Sequence, residues 1–115
     1  MNAEPKSLRE RLEIQLADGR DNALLRFALG NALIKDGDVS GALLHLDKAI
    51  QHDPSYSAAW KSLGLALRAL GRFDEAETAW LKGAEVAQRR GDIQAAREMS
   101  VFIKRLHRQK SANAG

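Results

Sequence analysis

Apolar residues recur every three or four positions along most of the chain, with polar residues between them. Leu8, Leu12 and Leu16 form one such stripe near the N-terminus. This spacing places apolar side chains on one face of an α-helix. We therefore predict an all-α chain with six helices, over residues 7–18, 22–36, 39–52, 55–70, 73–90 and 92–109, and a disordered tail over residues 110–115.

Residues typical of helix starts stand just before several of these segments. Ser7 opens a capping box, and Asp21 or Asn22 can cap the next helix. Asp53 is followed by Pro54, which predicts a cap with proline at the first helical position. The last helix is predicted to bury one apolar face, which consists of Ile93, Ala96, Met99, Ile103 and Leu106.

The middle of the chain contains an internal repeat of 34 residues. Seven positions of residues 23–56 recur identically one repeat later: Leu29 and Leu63, Gly30 and Gly64, Ala32 and Ala66, Leu33 and Leu67, Gly37 and Gly71, Ala42 and Ala76, and Lys48 and Lys82. Gly37 and Gly71 suit the left-handed end of a helix. Each unit, 23–56 and 57–90, is thus predicted to be a helix, a tight turn and an antiparallel helix. Residues 7–18 would flank the repeats and residues 92–109 would cap them.

The repeated residues resemble the tetratricopeptide signature, Trp-x2-Leu-Gly-x2-Tyr followed by Ala-x3-Phe and Pro. The second repeat follows it closely, with Trp60, Leu63, Gly64, Leu67, Ala76 and Trp80. The chain is similar to small bacterial tetratricopeptide repeat proteins over residues 23–90. The resemblance implies a single domain in which helix pairs stack as a short right-handed α-α superhelix.

Some residues depart from the signature. Arg26 replaces the first tryptophan, so the first repeat needs other packing at its outer edge. Leu33 and Leu67 replace tyrosine. Gln88 replaces the second proline, so the second helix of repeat two is predicted to continue to about Arg90.

Composition narrows the function classes. The chain has 115 residues, 44% of them apolar, and no cysteine, which excludes disulfides and thiolate metal sites. It has no long apolar run and no basic-apolar leader, so we expect a cytoplasmic protein without a membrane span. The net charge of +3 is uneven: residues 1–56 have 7 basic and 9 acidic side chains, and residues 57–115 have 11 and 6.

No constellation of side chains predicts catalysis. The sequence has neither a nucleophile elbow nor a phosphate-binding glycine loop. His45 and His52 lie on one predicted helix about 10 Å apart, too far to share a metal, and are interpreted as surface residues. We expect no enzymatic activity and no cofactor.

The resemblance implies that the first helix of each pair lines a concave groove. Helical geometry then selects the candidate peptide-binding residues: Leu24, Phe27, Asn31, Ile34 and Lys35 on the first repeat, and Ala58, Lys61, Leu65 and Arg68 on the second. We expect an adaptor or scaffold that binds an extended peptide or a partner protein, including an acidic one. The alternative is that the N-terminal helix covers Phe27 and Ile34.

In chaperone-binding relatives, a carboxylate clamp uses lysine and asparagine on the first groove helix and asparagine on the second. Asn31 matches the first asparagine, whereas Phe27 and Ser62 stand where the lysine and the second asparagine would be. The resemblance therefore does not extend to chaperone binding.

The last predicted helix has a basic stripe of Arg97, Lys104 and Arg108. A terminal repeat helix needs a polar outer face, and this interpretation is preferred. One alternative is a basic-surface nucleic-acid accessory protein, although no aromatic residue is interleaved for base stacking. Another is a self-associating structural module in which Phe102 meets a second subunit. Nucleic acid is not the expected partner.

Overall fold

The computed structural model describes residues 4–114 and contains six α-helices. They are α1 (Leu8–Ala17), α2 (Ala23–Lys35), α3 (Val39–His52), α4 (Ser57–Ala69), α5 (Phe73–Arg89) and α6 (Ile93–Ala114). No strand occurs in residues 4–114. The prediction of an all-α fold with six helices is confirmed.

Two short turns fold the middle of the chain into helix pairs. Residues 36–38 connect α2 to α3, and residues 70–72 connect α4 to α5. Gly37 and Gly71 lie in these turns with positive φ angles of 89° and 76°. This left-handed conformation ends a helix and reverses the chain. The paired helices therefore run antiparallel, and α2 packs on α3 as α4 packs on α5.

The stack of helices is curved. α2 contacts α4, and α4 contacts α6, whereas among the described residues no Cα atoms of α1, α3 and α5 come within 8 Å of one another. Helices on the inside of a curved stack approach each other more closely than those on the outside. The exposed surface of α2, α4 and α6 is therefore called the concave face, and α1, α3 and α5 form the outer layer.

One hydrophobic core runs through the stack, from Leu12 on α1 to Leu106 on α6. Its largest fully buried side chain is Trp80, whose ring centroid lies 5.3 Å from that of Phe102 on α6. Since two helix pairs alone bury too little surface for a stable array, the flanking helices complete the core.

Side chains cap the first two helices as the sequence indicated. The Ser7 hydroxyl accepts a hydrogen bond from the Glu10 amide at 3.1 Å. The Asn22 side chain accepts one from the Leu25 amide at 2.8 Å, which identifies Asn22, not Asp21, as the cap of α2.

The predicted start of α4 is wrong. Asp53 does not cap this helix: its carboxylate accepts a hydrogen bond from the Ser55 amide at 3.1 Å, within a turn that contains Pro54. The helix begins only at Ser57. The turn is held in place by Trp60, whose indole donates to the Pro54 carbonyl at 2.8 Å.

The C-terminal tail also differs from the prediction. Residues 110–114 continue α6 instead of being disordered, and Gly115 lies outside the described residues. Lys110 lies 2.6 Å from Asp74 and 3.8 Å from Glu77, so the end of α6 is tied to α5. On the predicted apolar face, Ala96, Met99 and Leu106 are buried and Ile103 is half-buried, but Ile93 is 45% exposed.

Candidate functional site

Helix α2 supplies the apolar part of the concave face. Leu24 is 67% exposed, the largest exposed fraction among the exposed bulky apolar side chains of the described residues. Phe27, Asn31 and Ile34 are half-buried. The Phe27 ring centroid lies 5.0 Å from that of Tyr56, the residue that precedes α4, so Tyr56 shields part of this ring. Lys35, the remaining candidate on this helix, is exposed.

Helix α4 supplies the cationic part. Ala58, Lys61, Leu65 and Arg68 are all half-buried. The Lys61 ammonium lies 3.3 Å from the Glu98 carboxylate of α6. The Arg68 guanidinium carbon lies 6.0 Å from the centroid of a Trp80 ring, at the outer limit of a cation–π contact. Lys61 is therefore already paired with an anion, whereas Arg68 has no ion pair among residues 4–114.

Glu98 is part of this surface, although it was not among the residues predicted from the sequence. It lies 37 residues after Lys61, not the 34 of the repeat. The difference arises because α5 has 17 residues and α3 only 14. With this offset Phe102 and Arg105 take the places of Leu65 and Arg68. The predicted extension of α5 beyond Gln88 was the sequence signal from which Glu98, Phe102 and Arg105 could have been assigned to this surface.

The described residues contain no group of three or more His, Cys, Asp or Glu side chains positioned to hold a metal ion. Among residues 4–114, moreover, no helix combines the length and the apolar character needed to cross a bilayer.

Comparison with known proteins defines the family. A tetratricopeptide repeat family model matches residues 27–92, more than half of the chain. A TPR repeat-containing protein of Pseudomonas aeruginosa is 46% identical over 102 residues, which are 89% of this chain and 97% of that protein. The chain belongs to the tetratricopeptide repeat family.

Solved tetratricopeptide and related structures share this fold. A protein from Bordetella parapertussis, solved in solution, is 44% identical, with a TM-score of 0.83 and 94% of each chain covered. The first tetratricopeptide domain of Spaghetti, bound to the HSP90 peptide SRMEEVD, is 17% identical, with a TM-score of 0.70 and 90% of each chain covered. At that identity the second likeness shows the fold alone.

The position of α6 at the end of the tetratricopeptide repeats explains its basic stripe. Arg97, Lys104 and Arg108 are exposed, as predicted for a terminal helix. The next outer helix, α5, packs on one side of α4. The residues of α6 that lie 37 positions after that side of α4 are polar or exposed. The corresponding pairs are Trp60 and Arg97, Leu63 and Ser100, Gly64 and Val101, and Leu67 and Lys104. This face therefore ends the regular packing of the repeats.

A polar cluster replaces the missing tryptophan of the first tetratricopeptide repeat. Arg26 binds Asp21 through two hydrogen bonds of 2.7 and 2.9 Å and lies 3.0 Å from Nδ1 of His45. His52 also contacts Asp21, at 2.9 Å. Arg26 thus reaches back to the preceding loop, as Trp60 does in the second repeat. The interpretation of His45 as a surface residue is wrong, since it is half-buried.

This cluster shifts the protonation of its members. The Arg26 guanidinium holds the pKa of Asp21 well below its usual range, and the hydrogen bond with His52 adds to the effect. Burial lowers the pKa of His45, and the nearby charge of Arg26 lowers it further. The cluster is therefore a structural network built on an anionic Asp21.

Proposed function

We propose that the concave face binds an extended segment of a partner protein, and that the protein acts as an adaptor or scaffold with no catalytic activity of its own. The observation that carries this proposal is the exposure of Leu24, 67%, beside the half-buried Phe27 and Ile34. A large exposed apolar side chain next to further apolar surface is typical of interaction sites.

Polar groups on the same face favour an extended peptide. Asn31 lies between Phe27 and Ile34 along α2, and its amide can both donate to and accept from a peptide backbone. Arg68 offers a cation that no carboxylate of residues 4–114 neutralises. The preferred ligand therefore has a bulky apolar side chain near a carboxylate.

The pair of Lys61 and Glu98 modifies this preference. Glu98 occupies Lys61 at 3.3 Å in the free protein, so an acidic ligand has to displace it to gain this cation. The apolar contacts should therefore contribute more to affinity than the charges, and an ion pair exposed to water contributes only about 0.2–1 kcal/mol.

The tetratricopeptide relative bound to an HSP90 peptide supports the use of such a fold for peptide binding. The same ligand is not expected here. Ser62, at the place of the second clamp asparagine, is only 8% exposed, and Phe27 replaces the clamp lysine. The peptide SRMEEVD therefore serves as a comparison ligand of low expected affinity.

The experiment compares two exposed leucines on opposite surfaces. Leu24 on α2 is 67% exposed and Leu44 on α3 is 59% exposed, so neither substitution disturbs the core. Partners captured from a cell extract by the wild-type chain should be lost with Leu24→Ala and retained with Leu44→Ala. The reverse pattern, or equal capture by both variants in their folded state, would place the partner elsewhere.

A further inference from the structure

A cleft of about 550 Å³ opens between α3 and α5 on the outer side of the stack. It exists because no Cα atoms of these two helices come within 8 Å of one another, so that α4 is accessible between them and forms its floor. Its volume lies within the range of about 300–1,000 Å³ that is usual for ligand sites. This convex cleft lies opposite the concave face and shares no residue with the candidates there.

The floor of the convex cleft is apolar. Trp60, Leu63 and Leu67 of α4 line it, and Leu43 of α3 adds apolar surface at its side. Trp60 and Leu43 are half-buried, so each retains surface that a ligand can cover. The Trp60 indole donates a hydrogen bond to the Pro54 carbonyl at 2.8 Å, which fixes the ring. The ring is therefore a preformed apolar surface of the cleft.

The rim of the cleft is acidic. Glu75 is paired with Arg72 through hydrogen bonds of 2.8 and 2.6 Å, and Asp74 lies 2.6 Å from Lys110. Asp47 is the third carboxylate, and among residues 4–114 it forms neither an ion pair nor a side-chain hydrogen bond. Loss of hydration raises the pKa of Asp47, although Arg72 opposes the shift.

We propose that the convex cleft binds a short segment of a partner protein in which a bulky apolar side chain stands next to an arginine or lysine. The apolar side chain covers Trp60 and Leu43, and the cation pairs with the Asp47 carboxylate at the rim. Such a ligand supplies the charge that the rim lacks, and it covers apolar surface that water now contacts. The charge preference is opposite to that of the concave face, so the two surfaces select different partners.

The probes are two matched peptides that differ in one side chain: acetyl-Ala-Phe-Arg-Ala-amide and acetyl-Ala-Phe-Glu-Ala-amide. Each is titrated into the 15N-labelled full chain, and the amide chemical shifts are followed. The arginine peptide should move the amide signals of Leu43, Asp47, Trp60, Leu63, Leu67 and residues 72–79 in a saturable way. It should leave the signals of Leu24 and Asn31 on the concave face unchanged. The glutamate peptide should bind at least about fivefold more weakly.

Three variants test the roles of the side chains. Asp47→Asn keeps the shape of the rim and should weaken the arginine peptide about fivefold, whereas Arg72→Gln frees Glu75 and should strengthen binding. Glu85→Gln, which removes an outer-layer carboxylate that does not line the cleft, should have no effect. The proposal is overturned if the arginine peptide moves no cleft signals at millimolar concentration, if it shifts the concave face instead, or if Asp47→Asn binds it as the wild-type chain does.

Discussion

The indole of Trp80 lies directly against Gly64, in space that a Cβ atom at position 64 would occupy. Its Nε1 donates a hydrogen bond to the carbonyl of Lys61, one turn earlier on α4, at 3.2 Å. A fully buried tryptophan is thus fixed between two helices by a glycine and a backbone carbonyl. Lys61 is itself a residue of the concave face, so this core contact also positions the candidate site.

Gly64→Ala should lower the free energy of unfolding by about 1–3 kcal/mol through overpacking, even though alanine favours the helix. The matched control is Gly30→Ala. Its new Cβ would meet the Leu46 side chain at 2.8 Å, and this flexible side chain can shift more easily than an indole. Urea denaturation should show the larger loss for Gly64→Ala. Equal losses would mean that the indole can move aside.

Asp21→Asn should destabilise the protein at pH 7 and reduce its sensitivity to acid. The pKa of Asp21 is lowered in the folded state, so its contribution is present above the ordinary value of 3.8 and is lost as the pH falls through the folded value. Denaturation midpoints at pH 7, 3 and 2 measure this, because most of the loss falls below pH 3. Parallel pH profiles for the variant and the wild type would contradict the role assigned to the Arg26 pair.

Glu98→Gln should strengthen the binding of acidic peptides, because it frees Lys61 while keeping the shape of the side chain. The expected gain is about threefold at low salt and smaller at high salt. Glu85→Gln, which removes a carboxylate paired with Arg89 on the outer layer, is the control. Titration of an identified partner at two ionic strengths gives the result, and a gain shared by both variants would point to net charge alone.

Deletion of residues 92–115 should produce a chain that aggregates or melts early. Met99 and Leu106 are 0% and 1% exposed, so the deletion uncovers the apolar surface of α5 on which they pack. Deletion of residues 111–115 should leave the melting temperature nearly unchanged, because the contacts of Lys110 remain. A stable, monomeric first truncation would refute the capping role of α6.

Arg97, Lys104 and Arg108 should not bind nucleic acid. Arg97 and Lys104 lie where a further outer helix would otherwise pack, and charged side chains give this last helix the polar outer face that a terminal repeat helix needs. Gel shifts at low salt with single- and double-stranded DNA and RNA should show no complex at micromolar protein. A salt-sensitive complex that disappears when all three are replaced would favour the alternative function.

The internal repeat predicted much of the fold, because the residues that mark its helices and turns are close together in the sequence. Gly37 and Gly71 mark the turns, and the 34-residue spacing relates the two helix pairs. The phase of α6 was not predicted, because the three additional residues of α5 rotate the next helix, and Glu98 was therefore missed. The start of α4 was misplaced, because the Asp53–Pro54 pair that is typical of a helix start here forms a turn, which the Trp60 indole holds by its bond to the Pro54 carbonyl.

The candidate site could be predicted from the sequence only in part. Helical geometry selected one side of α2 and α4, but it could not show that Tyr56 shields Phe27 or that Glu98 occupies Lys61. The convex cleft was missed entirely. It depends on the separation of α3 and α5, which no spacing along the sequence reports.

The polar face of α6, which ends the regular packing of the repeats, has a consequence for how the number of repeats can vary. Because the end helices α1 and α6 are specialised and the two internal pairs are alike, additional units are most easily accommodated between them. A duplication of residues 23–56 at the junction with Ser57 would add one helix to the concave face and one more gap to the outer side. The extent of the binding surface can thus change by internal duplication while both ends keep their present sequence.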